Sequence, residues 1–227
     1  MLGLSASLSR GAAVMRSFIK DNLKLYLDFK ASKHNTLKFP CEGSTEFVTG
    51  SSQYIDIGDV SSLNIGDNNF SICAWIYKSG NTNEVIFSKG ALGVSGGYSF
   101  SCGDGSSQDL WVQVESSSAY DYANSSTVLA SGWNFVATTV DYSSATGLKL
   151  YINGVECAYT AQNDPTSLSS PHSGTGFSAK IGSTNAGGSY FNGKMANLGI
   201  WSRVLSIEEI NSVMRKNYSQ LKSVEKT

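Results

Sequence analysis

From Leu23 to Trp201 the chain is a succession of short apolar or alternating runs, each stopped by Gly, Asn or Ser. The runs are Leu23–Phe29, Tyr54–Ile57, Phe70–Tyr77, Glu84–Lys89, Tyr98–Cys102, Leu110–Glu115, Trp133–Asp141, Gly147–Asn153, Val155–Thr160, Phe177–Ile181 and Lys194–Trp201. Each has strand length and none has helical periodicity, so the pattern predicts an all-β sandwich or barrel. No βαβ alternation and no internal repeat interrupts it. Phe70–Tyr77 is apolar on both sides except at Ser71 and reads as a central strand covered on both faces. Asn153-Gly154 between two alternating runs predicts a two-residue hairpin, because both turn positions then need positive φ.

At 227 residues such a pattern makes one large domain that needs no disulfide or metal to hold its core. Charged residues are 15% of the chain and the net charge is −1. No basic stripe predicts a nucleic-acid partner, and no acidic tail predicts a basic one. The apolar runs all fall short of the roughly 20 residues that a membrane span requires, so no membrane partner is expected. In the first twenty residues Arg10 and Arg16 break every apolar stretch, so no signal peptide is expected. Sequons at Asn69, Asn124 and Asn217 read as chance in an Asn/Ser-rich chain.

Residues 1–21 differ from the rest of the chain. Leu2, Leu4, Leu8, Val14 and Phe18 are scattered among Ser, Ala and Gly, with a short helix possible over Gly11–Lys20. The chain divides into an N-terminal arm (1–21), one sandwich domain (22–217) and a C-terminal tail (218–227). The stretch 161–176 carries two of the three prolines and reads as a long surface loop. Cys41, Cys73, Cys102 and Cys157 lack the paired spacing of a zinc site. Cys73 and Cys157 sit inside apolar runs and read as small buried residues. His34 and His172, the only histidines, lie in polar sequence and read as solvated.

The C-terminal part carries the densest pattern. Gly193 precedes the apolar run Lys194–Trp201, and Ser206 then opens a helix. Ser206 and Glu209 have the spacing of a capping box, and Ile207, Ile210, Val213 and Met214 fall on one helical face. This segment resembles the C-terminal signature of laminin-G-like domains of the concanavalin A-like jelly-roll superfamily. Four further stretches resemble the same family in the same order: Gly50–Ile57, Phe70–Ile76, Trp133–Ala137 and Leu148–Gly154. The resemblance covers about Leu23 to Met214. It implies a two-sheet antiparallel jelly-roll with a short C-terminal helix.

Members of that family that bind calcium use carboxylates near the first strand pair and in the late strand. Here Thr49, Ser52 and Gln53 stand at the first set and Ala196 and Asn197 at the second. Calcium affinity rises with ligand charge, so no metal and no cofactor is expected; Asp67-Asn68-Asn69 and Asp104 read as turn residues. The retaining glucanases of the superfamily need paired carboxylates on one strand, and Glu42/Glu46 and Asp56/Asp59 lack that placement. No Gly-x-Ser-x-Gly elbow occurs either, so no catalytic residue is expected and the chain reads as a non-enzyme.

Two functions remain. One is a structural or decoration protein on the surface of a virus particle, a bacteriophage by the resemblance. It would be anchored to other virion proteins, or to copies of itself, through Leu2, Leu4, Leu8, Val14 and Phe18. The other is a carbohydrate-binding, lectin-like module on a virion or cell surface. Ser116–Asn124 supplies aromatic faces and hydrogen-bonding groups together, with Tyr120, Asp121, Tyr122 and Asn124 as the candidate glycan contacts. Its sequence reads either as one loop or as a Ser-rich turn whose alternating tyrosines extend a strand.

Overall fold

The computed structural model describes residues 23–27, 43–80, 83–91, 96–103 and 108–216. The arm residues Leu2, Leu4, Leu8, Val14 and Phe18, together with Cys41, Asp104 and the tail, lie outside them. Among the described residues fourteen strands form two antiparallel sheets, a jelly-roll sandwich of the kind the resemblance implies.

The first sheet contains β1 (Leu23–Leu27), β14 (Gly193–Trp201), β4 (Phe70–Lys78), β9 (Trp133–Val140), β10 (Leu148–Ile152) and β11 (Val155–Glu156), in that order. A short β2 (Thr45–Phe47) also pairs with β14. The second sheet runs β12 (Tyr159–Gln162), β8 (Tyr120–Ser125), β7 (Leu110–Glu115), β6 (Gly96–Cys102), β5 (Glu84–Ala91), β13 (Ala179–Ile181) and β3 (Ile55–Gly58). Between the sheets lies one apolar core, with Phe70, Ile72 and Ile76 from β4, Phe87 from β5 and Tyr98 and Phe100 from β6. Leu198 and Ile200 of β14 complete its centre. Each such side chain contributes roughly 1.5–3 kcal/mol on burial.

The hairpin expected at Asn153-Gly154 is present, with φ +52° and +81° at the two positions. The Asn153 side chain also accepts from the Phe135 N–H at 2.9 Å, which ties the turn to β9. Gly193 opens β14 at φ +147°, where a Cβ would meet the Tyr77 carbonyl oxygen of β4 at 2.0 Å. Close backbone approach is what fixes glycine there.

Two assignments change, and one open alternative is decided. Val155–Thr160 is not one strand: Cys157 and Ala158 carry the chain from β11 in the first sheet to β12 in the second. Of the two readings of Ser116–Asn124, the Ser-rich turn whose tyrosines extend a strand is the one present, with the turn leading into β8. Ser116 closes the turn by accepting from the Ala119 N–H at 3.0 Å, and its own N–H donates to the Ala119 carbonyl at 2.8 Å. The stretch 161–176 is shorter as a loop, since β12 reaches Gln162 and a 3-10 turn spans Pro165–Ser167.

A helix α1 (Ile207–Val213) comes after β14 and carries the capping box. Ser206 accepts from the Glu209 N–H at 3.3 Å, and Glu209 accepts from the Ser206 N–H at 2.8 Å. Arg203 clamps the Glu209 carboxylate with two bonds of 2.7 and 2.8 Å. Ile210 and Val213 bury against the outer face of the first sheet, and Met214 packs at its margin. Ile207 does not join them and is exposed. In the first turn its side chain leans toward the helix N-terminus, away from the body of the helix. Cys73, Cys102 and Cys157 are buried and free. Burial raises the thiol of Cys157 to about 11 and that of Cys73 further, so neither is a nucleophile.

Candidate functional site

Strand register decides which side chains share a face, because successive residues of a strand point to opposite sides. Across the second sheet one row pairs Ala123, Val112, Phe100, Phe87, Ile181 and Ile55. All but the half-buried Ile55 belong to the buried core, so this row faces inward. The neighbouring row pairs Tyr122, Gln113, Ser99, Ser88, Lys180 and Asp56 and therefore faces outward. Flanking outward rows pair Asn124 with Trp111, Ser101 and Val85, and Tyr120 with Glu115 and Gly97.

Tyr120, Tyr122 and Asn124 thus lie on one outward face. Asp121 does not join them. It pairs with Val114, in the row of Tyr98, on the inward side, and is only 8% exposed. The period of two separates it from both tyrosines. Burial pushes its carboxyl up, a hydrogen bond from the Asn163 side chain opposes this, and the charge of Asp164 adds to the rise.

Trp111, which its sequence marks only as a strand residue, belongs to the site. Its ring lies 5.3 Å from that of Tyr122, and Tyr122 lies 6.1 Å from Tyr120, centroid to centroid. The three rings form a continuous aromatic strip that ends in the exposed Tyr120. Beside Trp111 a recess of about 70 Å³ is lined by Ser99, Ser101, Gln113, Asn83, Val85, Thr184 and Ser189. One wall is the segment 182–190, held by bonds from Ser88 Oγ to the Ser183 carbonyl (2.8 Å) and from the Val85 N–H to the Ser189 carbonyl (2.9 Å). Lys180 shares this face, but its Nζ donates to the Asn185 carbonyl at 2.7 Å and stands 4.8 Å over the Tyr54 ring. Glu115 accepts a hydrogen bond from Gln113 Nε2. Trp111 Nε1 and Asn124 Oδ1, on directly opposed residues, are buried and unpartnered.

Other candidate positions are engaged elsewhere or shut in the interior. Thr49 donates to the Tyr190 carbonyl, and Gln53 accepts from the Val48 N–H. Ala196 packs with Trp75 beneath α1, and Asn197 is 2% exposed at a bulge of β14 with φ +50°. These neutral and mostly enclosed groups do not suit a divalent cation, which takes several charged oxygens. Among the described residues no three His, Cys, Asp or Glu side chains gather to hold a metal. Asp67, Asn68 and Asn69 border an open hollow of about 560 Å³ with Asp141 and Arg203. Their side chains serve the turn: Asn68 donates to Asp67 at 2.6 Å, and Asn69 bridges Asp141 and the Tyr142 N–H. The Ser143 hydroxyl, against some burial, helps hold the Asp141 carboxyl below its ordinary value. Glu42 and His34 lie outside the described residues. Asp59 pairs with the buried Lys89 at 2.8 Å, and His172 Nδ1 accepts from the Gly174 N–H.

A family model of laminin-G type, described as the concanavalin A-like lectin/glucanases superfamily, matches residues 49–211. No curated protein matches the sequence. The fold is similar to the CBM40 module of the Ruminococcus gnavus IT-sialidase bound to α2,3-sialyllactose. That match has 14% identity over 85% of this chain and 98% of the module, with a TM-score of 0.56. It is also similar to the leech intramolecular trans-sialidase complexed with 2,7-anhydro-Neu5Ac, at 13% identity over 86% of this chain and 28% of the enzyme, TM-score 0.57. The binding domain of botulinum neurotoxin DC, in complex with SialylT, matches at 14% identity over 75% of this chain and a TM-score of 0.49. The chain spans only 40% of that binding domain's length. With the match covering most of its length and the expected sheets and capped helix in place, the chain belongs to the concanavalin A-like lectin/glucanase superfamily.

Proposed function

We propose that this chain is a non-enzymatic carbohydrate-binding module that holds glycans on the outward face of its second sheet. One observation carries the reading: the aromatic strip Trp111–Tyr122–Tyr120 lies beside a recess floored by serine hydroxyls and a glutamine amide. A sugar has an apolar ring face that packs on aromatic rings and a rim of hydroxyls that needs donors and acceptors at close quarters. The strip and the recess offer the two side by side. Glycan binding is also what the CBM40 module of like fold does with sialyllactose, and it is carried to this chain as part of the proposal.

The carboxylates on this face support binding over catalysis. The register puts Glu115 on β7 and Asp56 on β3, four strands apart. Strand spacing separates them by about 19 Å, against the about 5–9.5 Å that glycoside hydrolysis requires. Display of the module on a virion or cell surface through residues 1–21 belongs to the same proposal. Removal of Met1–Ser17 is expected to leave a folded, glycan-binding domain that no longer joins its assembly.

The test is a glycan array followed by calorimetry on the full chain and on Trp111→Ala, Tyr120→Ala and Tyr122→Ala. The expected result is a set of glycans bound by the wild type and weakened about tenfold by Trp111→Ala, equivalent to about 1.4 kcal/mol. Absence of binding to every glycan at about 1 mM overturns the proposal.

A further inference from the structure

We propose that the recess beside Trp111 selects uncharged sugars, so that the preferred ligand is a neutral hexose or N-acetylhexosamine unit and not a sialylated one. This rests on the reading of the outward face as a glycan site. The ring of the sugar lies on Trp111 and Tyr122, and its hydroxymethyl arm enters the recess.

Size comes first. A recess of about 70 Å³ has room for roughly two waters at about 30 Å³ each. That suits a hydroxymethyl group more closely than the three-carbon chain and carboxylate of a sialic acid. Charge comes next. Ser99, Ser101, Gln113, Thr184, Ser189 and Trp111 line the recess, and among the described residues no ionised side chain joins them. Lys180, the cation that the register places on this face, is engaged by the Asn185 carbonyl and the Tyr54 ring. Glu115 stands in the next outward row, directly across from Tyr120 and linked to Gln113. Among the described lining residues an anionic ligand that leaves water for the recess finds no cation to pair with.

Hydrogen-bonding capacity points the same way. The Ser99, Ser101, Thr184 and Ser189 hydroxyls and the Gln113 amide of the lining both donate and accept, as sugar hydroxyls do, whereas an ionised carboxylate only accepts and finds no charged donor among the described lining residues.

The experiment titrates the full chain with lactose, N-acetyllactosamine, cellobiose and maltose as neutral probes, and with 3′- and 6′-sialyllactose as anionic ones. Gln113→Lys and Trp111→Phe accompany the wild type. The expected result is that the tightest neutral probe binds at least about tenfold better than either sialyllactose. Gln113→Lys is expected to narrow that gap by placing a cation at the recess, and Trp111→Phe, which keeps an aromatic ring in the strip, is expected to leave the gap in place. Sialyllactose binding as tight as, or tighter than, the best neutral probe overturns the selectivity and leaves the glycan-binding reading standing. No response to any of the six probes overturns both.

Discussion

The two outward faces of the sandwich have similar raw material and opposite fates. On the first sheet Trp75, Phe135, Tyr151 and Trp201 form a second apolar cluster, and Leu205, Ile210 and Val213 close over it. Trp75 Nε1 donates to the Met214 carbonyl at 3.2 Å, so even the indole polar group is used by the lid. On the second sheet Trp111, Tyr122 and Tyr120 line up with no helix above them among the described residues, and Trp111 Nε1 is unpartnered. The difference lies in where the chain goes once it leaves each strand. After β14 the chain returns across its own sheet, with Ser71 Oγ donating to the Arg203 carbonyl and accepting from the Leu205 N–H to hold the return. No such return crosses the strip on β7 and β8 among the described residues. Aromatic residues on a sheet become core when a segment covers them and a binding surface when none does.

The largest effect expected from this contrast is on stability. Trp201→Ala empties a fully buried position beneath α1 and is expected to cost about 3–5 kcal/mol, read as a shift of the urea midpoint. Glycan affinity per folded molecule stays at the wild-type value. The mirror experiment is Trp111→Ala, for which affinity falls about tenfold while the urea midpoint moves far less than for Trp201→Ala. A Trp111→Ala protein as unstable as Trp201→Ala would mean that the two faces do the same work, and the contrast would fail.

A smaller effect tests what holds the lid. Ser206→Ala removes the hydroxyl half of the capping box and is expected to cost about 1 kcal/mol. The acid half is sensitive to pH. Burial raises the Glu209 carboxyl, but the Arg203 clamp and the Ser206 N–H outweigh it and hold the group below its ordinary value. A carboxyl depressed in the folded state lends stability above its unfolded value, near the ordinary 4.5, and loses it as pH falls through the lower folded value. Melting temperatures from pH 7 to 3 should therefore fall less steeply at the acid end for Glu209→Gln. A parallel fall in both proteins would remove Glu209 from the account.

How much of this contrast the sequence shows depends on the amplitude of its patterns. The closed face was legible. Phe70–Tyr77 and Lys194–Trp201 are apolar on both sides, which requires cover on both, and Ser206 with Glu209 marks the helix that supplies it. The open face was half legible. Leu110-Trp111-Val112-Gln113-Val114-Glu115 alternates cleanly, so one side of β7 had to be outward. Strand β8 was obscured because its inward residues are Asp121, Ala123 and Ser125, too polar or small to give a hydrophobic period. The recess was not legible at all. Ser99, Trp111 and Ser189 meet there only because β13 and the segment after it fold back beside β5, and no local pattern encodes a meeting of segments so far apart in the chain.

Asp121 gives the smallest effect and the sharpest check on the register. Had Ser116–Asn124 been a loop, Asp121 would have stood with Tyr120 and Tyr122, and its loss would weaken glycan binding. In the strand it faces inward, beside Val114. Its carboxyl is raised by burial, eased by the Asn163 hydrogen bond and raised again by Asp164. A carboxyl raised in the folded state is disfavoured as its anion, so above that raised value it costs stability, and the cost lifts as pH falls through it. Asp121→Asn removes the charge and keeps the shape. At neutral pH it is expected to leave the melting temperature equal or slightly higher and glycan affinity within about twofold, well under the 1.4 kcal/mol that marks a tenfold change. A tenfold loss of affinity in Asp121→Asn would place this side chain on the outward face and shift the register of β8 against β7 by one residue, which would turn Tyr120 and Tyr122 inward and dissolve the aromatic strip.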